Sequence, residues 1–240
     1  MINIENIQLL ATKLQTRDVN IAREYIQNIF LSFFYEQKES RNILFKGGTA
    51  LRIVFQSPRF SEDLDFSTNK LFSLKEIEQI IIKAISNIEN LGIKTDIKES
   101  KITTGGYLGI INFKFLEYDL DIYLEISFRK KTKIKGEVFV INNSFVPSYL
   151  LVILSQEQIV AEKIQAALTR QKPRDFFDIY FLLRGNMVDV SNKASLEPIK
   201  NIIEKTKINF SNELKTFLPI HQHAIIKDFK NNLLREINRT

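Results

Sequence analysis

Residues 46–67 read KGGTALRIVFQSPRFSEDLDFS. NILF at 42–45, just before them, is a short apolar run of the kind that forms a buried strand. Two of the chain's 8 glycines, Gly47 and Gly48, follow it directly. TALRIVF then reads as a helix, closed at QSP because Pro58 disfavours continuation. Strand, glycine turn and helix in that order expose backbone N–H groups and the positive end of a helix dipole, and glycine has no Cβ to keep an anion away. Thr49 adds a hydroxyl. FSEDLDFS alternates, so Asp63 and Asp65 share one strand face while Leu64 and Phe66 take the other, with Glu62 facing as Leu64 does. Positions two apart on a strand are about 6–7 Å apart, so both carboxylates can meet one Mg²⁺ or bridge two. Like charges this close repel without a cation. The stretch is therefore either a turn with a solvated acidic edge or a seat for phosphate and metal.

Working outward, the spacing predicts a helix over 18–37 and another over 74–90 ended by Gly92, then strands near 93–99, 106–116, 119–128 and 136–142. In DLDIYLEISF, residues 119–128, alternation places Asp121, Tyr123 and Glu125 on one face. Either Asp121 or Glu125 can supply a third carboxylate, and periodicity does not choose between them. From Ser155 the pattern turns helical, with Gln158 at capping-box spacing. Further helices are predicted near 174–184, 195–206, 211–218 and 222–237. The change from strands to helices suggests two lobes, 1–150 and 151–240. Residues 162–178 gather Glu162, Lys163, Arg170, Arg174, Asp175 and Asp178. These are either salt bridges between two helices or a functional set in which Lys163 brings positive charge to a triphosphate and Asp175 or Asp178 positions it.

Composition narrows the chemistry. The 240-residue chain is 44% hydrophobic with 19 phenylalanines, enough for a packed core, and lacks the run of 18 or more apolar residues that spans a membrane. A cytoplasmic location is expected. With no cysteine, thiolate zinc sites and cysteine nucleophiles are excluded, and the two histidines, His221 and His223, are read as surface or packing residues. Catalysis would fall to carboxylates, lysines, arginines and hydroxyls. A formal charge of +6 favours anionic partners such as nucleotides or RNA, and the basic segment SFRKKTKIKGE at 127–137 would guide RNA phosphates or form a solvated turn.

FKGGTALR, RFSEDLDFS, YLEISFRK, AEKIQAALTR and PRDFFDIYFLL occur in this order between about residues 40 and 185. In this the chain resembles the AbiEii/AbiGii-type nucleotidyltransferase toxins of the DNA polymerase β-like nucleotidyltransferase superfamily. The resemblance implies an α+β fold: a polymerase β-like core with a mixed sheet flanked by helices, then a C-terminal helical lobe. It implies Mg²⁺, a nucleoside triphosphate donor, an RNA acceptor such as the tRNA 3′ end, and a cognate antitoxin. Carried over by motif, Gly47, Gly48 and Thr49, with Lys46, would cradle phosphate; Asp63, Asp65 and Glu125 would hold metal. Arg59 and Ser61 would brace the acidic strand and touch phosphate. Lys163 and Asp175 would act in catalysis, with Arg174 and Asp178 beside them at the nucleotide. Two departures stand out: Gly48, followed by Thr49, stands where the superfamily usually has serine, and the third carboxylate is a glutamate where many polymerases have aspartate. Transfer to a protein hydroxyl, or a silent binding module, would use the same residues.

Overall fold

NILF supplies three of the four residues of an interior strand of the sheet. In the computed structural model, which describes residues 1–128, 134–189 and 194–239, β1 (Ile43–Lys46) is buried at all four positions. A strand covered on both faces needs a continuous apolar run rather than alternation. The chain divides into two units, Met1–Gln56 with Phe60–Leu154, and Ser57–Arg59 with Ser155–Thr240.

The first unit is built on a seven-stranded mixed sheet of order β3-β4-β5-β2-β1-β7-β6. Its other strands are β2 (Leu64–Thr68), β3 (Lys94–Thr103), β4 (Gly106–Phe115), β5 (Tyr118–Phe128), β6 (Gly136–Ile141) and β7 (Tyr149–Leu154). β2 runs parallel to β5 and β1 parallel to β7; the remaining pairs are antiparallel. The sequence reading predicts no strand at β7, YLLVIL, because an almost wholly apolar run has no period to mark it as one.

Four helices accompany the sheet: α1 (Ile4–Leu14), α2 (Asp18–Tyr35), α3 (Gly47–Ile53) and α4 (Leu74–Asn90). α1 is another element the reading does not predict. α4 is amphipathic, burying Ile77, Ile80, Ile81, Ala84, Ile85 and Ile88, and begins with a capping box in which Ser73 N–H donates to Glu76 Oε2 at 2.8 Å. α2 is buried on nearly all sides, polar residues Asn20, Gln27 and Asn28 included. Its Phe34 links Phe30, at 5.5 Å between ring centroids, to Phe66 of β2, at 5.3 Å. Tyr35 Oη shares its one proton between the carbonyls of Ile43 and Val152, at 2.7 and 3.0 Å, tying α2 to β1 and β7, and burial raises its pKa well above the ordinary phenol value.

The second unit is helical among its described residues: α5 (Gln156–Thr169), α6 (Pro173–Arg184), α7 (Leu196–Lys205), α8 (Phe210–Phe217), α9 (His223–Lys227) and α10 (Phe229–Arg239). Its core centres on Phe229, 5.9 Å from Phe177 and 4.8 Å from Phe210. The helix predicted over 222–237 is broken at Asp228, where a non-helical backbone (φ −127°, ψ 34°) opens α10 and the carboxylate accepts from Asn231 Nδ2 at 2.6 Å. At the start of α5 the Ser155 hydroxyl meets Gln158 Oε1 at 3.3 Å but makes no cap bond to the helix backbone. Of the basic segment 127–137, residues 129–133 lie outside the described residues. Among the described residues no helix is long and apolar enough to cross a membrane.

Candidate active site

Strand register brings the acidic residues together. Lys46, the last residue of β1, lies opposite Asp65 of β2, and Asp65 lies opposite Glu125 of β5. Residues paired across strands project from the same face, so Lys46, Asp65 and Glu125 form one row over three adjacent strands. Asp121, four residues earlier, is level with Asn112 instead. Its carboxylate accepts from Lys98 Nζ at 2.6 and 2.8 Å and from Asn112 Nδ2 at 2.7 Å, and these donors hold its pKa below the usual aspartate value. Of the two candidates that periodicity leaves open, Glu125 is the one level with Asp65.

Gly47 is fitted to this row. Its φ is +82°, a left-handed conformation that costs an L-residue about 1–2 kcal/mol. A Cβ at this position would lie 2.0 Å from Asp65 Oδ2. The glycine therefore lets the turn form and leaves room for the Asp65 carboxylate directly against the backbone. Gly48 follows it, buried, in the first turn of α3.

The segment leading to Asp65 is held from two sides. Asp63 lies just before β2 and is half-buried, as are Ser61 and Glu62. Gln27 of α2, buried, donates through Nε2 to the carbonyls of Ser61 and Glu62 at 3.1 and 2.9 Å. Thr49 Oγ1 donates to the Asp63 carbonyl at 2.5 Å. A hydroxyl has one proton to give, so Thr49 is not a free hydroxyl donor for phosphate; it fastens the acidic segment to α3. Glu62 turns to Arg23 of α2 at 3.1 Å. The neighbouring Glu24 meets Arg52 of α3 at 3.0 Å; burial raises its pKa more than Arg52 lowers it.

The other expected site residues belong to the second unit. Asp178, buried, accepts from Arg59 Nε and Nη2 at 2.8 and 2.9 Å and from Lys163 Nζ at 2.7 Å. Burial pushes its carboxyl up, but Arg59 and then Lys163 pull it below the ordinary aspartate value. Arg59 is only 3% exposed. Its guanidinium serves a carboxylate of its own unit, which redirects the expectation that it touches phosphate. Lys163 has its partner in Asp178, whereas Asp175 accepts from Arg170 Nη2 at 2.6 Å and from the Lys172 N–H at 3.2 Å, capping α6. Arg174 is held by Glu213 at 3.3 Å. Sequence reasoning missed Gln27 and Glu213; an amide at a buried helix position was the available signal for Gln27. His223 meets the Leu218 carbonyl at 3.0 Å, and His221 is exposed.

Among the described residues no three His, Cys, Asp or Glu side chains are gathered closely enough to hold a metal ion by themselves. Mg²⁺ commonly takes one or two protein carboxylates and completes its shell with water and substrate phosphate. Asp63, Asp65 and Glu125 are thus not drawn up as a three-carboxylate cage, but Asp65 with a neighbouring carboxylate supplies the one or two that such a shell takes.

The model of a family described as nucleotidyl transferase AbiEii toxin, type IV TA system, matches residues 29–238. Among solved structures, JHP933 from Helicobacter pylori is similar with a TM-score of 0.68 at 23% identity, covering 93% of this chain and 92% of that one. MenT4, a nucleotidyltransferase toxin from Mycobacterium tuberculosis H37Rv, gives a TM-score of 0.64 at 12% identity, covering 96% and 88%. At such identities the likeness speaks for the fold. No curated protein matches the sequence.

Proposed function

The chain belongs to the AbiEii family of nucleotidyltransferase toxins of type IV toxin–antitoxin systems, and from that premise we propose that it transfers a nucleotide from a nucleoside triphosphate to RNA in the cytoplasm. The acceptor in this reading is the 3′ end of tRNA, the result is a block in translation, and a cognate antitoxin opposes it. The observation that carries the reading is the row Lys46, Asp65 and Glu125, with Gly47 shaped around the Asp65 carboxylate.

In the reaction a substrate hydroxyl oxygen forms a bond to the α-phosphorus, the bond from that phosphorus to the bridging oxygen breaks, and pyrophosphate leaves. The hydroxyl proton passes to a carboxylate of the row; in this reading Glu125 orients the hydroxyl and takes it. Backbone at Gly47 and Gly48, with the Lys46 charge, receives the phosphates. With Asp63 and Asp65 as its carboxylate ligands and Glu125 level with Asp65 beside them, Mg²⁺ would supply charge neutralisation for the triphosphate. In the helical unit, Asp178 holds Lys163, while Asp175 fixes the start of α6 and Arg174 beside it.

The test is to incubate the protein and Mg²⁺ with each α-³²P nucleoside triphosphate, total tRNA and cell lysate, then separate RNA from protein. Label in tRNA is the expected outcome. Label in protein alone would make the acceptor a protein hydroxyl, and no label with any nucleotide would leave a binding module.

A further inference from the structure

Gln27 is the least expected residue in its helix. It lies 1% exposed among Ile26, Phe30 and Leu31, where an amide gains nothing from packing and must find partners. Both partners lie in one place: the Ser61 and Glu62 carbonyls, at 3.1 and 2.9 Å. The next carbonyl along the chain, Asp63, is taken by Thr49 at 2.5 Å. Residues 61–63 belong to no strand or helix, so no ladder fixes this backbone, yet three consecutive carbonyls are each held by a buried side chain. We propose that Gln27 is a positioning residue for nucleotidyl transfer, acting with Thr49 to fix the backbone that carries Asp63 into register ahead of Asp65. It touches neither phosphate nor metal, because the bonds from its amide nitrogen are spent on the loop. The inference rests on the reading of Asp63 and Asp65 as the acidic pair of the transfer site.

The experiment compares the full chain with Gln27→Met, Thr49→Val and Thr49→Ser, following thermal melting, Mn²⁺ titration in the presence of a non-hydrolysable triphosphate, and kcat and KM for transfer. Met and Val keep the shape and lose the donor, while Ser keeps the donor. Loss of an outer partner of this kind costs on the order of 10- to 100-fold in metal affinity or turnover. Gln27→Met is expected to lower kcat and weaken Mn²⁺ binding by that factor with the triphosphate KM within about twofold, and Thr49→Ser to restore what Thr49→Val loses. The two losses should be less than additive, since both donors hold one segment. If Gln27→Met does not fold, the two Thr49 variants decide. Folded Gln27→Met or Thr49→Val with wild-type Mn²⁺ affinity and kcat, or a rise in KM alone, would overturn the proposal. Mn²⁺ binding is read without turnover, so a wild-type chain that transfers nothing refutes the functional reading and still leaves this inference to be decided.

Discussion

At Gly47 the backbone and a neighbouring carboxylate make the same demand. The left-handed φ disfavours a side chain, and the 2.0 Å that would separate a Cβ from Asp65 Oδ2 forbids one while Asp65 stays in place. Gly47→Ala is expected to fold with a stability loss of about 1–2 kcal/mol and to lose transfer activity on the order of 100-fold by displacing Asp65; chemical denaturation and an α-³²P transfer assay check the two parts. The third carboxylate gives a second test at this scale. Glu125→Gln should abolish transfer and Asp121→Asn should retain it, because only Glu125 is level with Asp65 while Asp121 serves Lys98 and Asn112. Full activity in the first or none in a folded second would reverse the assignment. The acidic pair and the glycines were legible in the sequence because they are local patterns. That Glu125 rather than Asp121 lies level with Asp65 was not, since it depends on how β5 is registered against β2, and neither was Gln27, whose partners lie 34 and 35 residues away.

Among elements, those with a clear period were readable: α4 shows its isoleucines at helical spacing, and β5 alternates from Tyr118 to Phe128. β7 gave no period because it is apolar almost throughout, and the break at Asp228 needed a local side-chain bond to be seen. α5 and α6 are joined at a charge network whose partners, Lys163 and Asp178, are 15 residues apart, with Arg59 119 residues from Asp178. Removing one partner of a buried ion pair costs about 3–5 kcal/mol, so Asp178→Asn is expected to lower the melting temperature by on the order of 10 °C. Asp178 is held below its ordinary value of 3.8. A depressed carboxyl contributes stability at pH above the unfolded value and loses it as pH falls through the folded one. The wild-type melting temperature should therefore fall as pH drops below about 4, and Asp178→Asn should lose less over the same interval. Equal acid sensitivity in the two proteins would contradict this.

For the molecule as a whole, the +6 charge suits an anionic acceptor, and a mixed α+β fold on a seven-stranded sheet accords with the family assignment made from residues 29–238. What converts a family resemblance into an argument about chemistry is the row of Lys46, Asp65 and Glu125 and the segment clamped in front of it. The most direct measurement compares wild type with Asp65→Asn, matched by circular dichroism, for α-³²P label placed on tRNA. The account predicts label at the RNA 3′ end from the wild type and none from the variant; undiminished label from Asp65→Asn would contradict it.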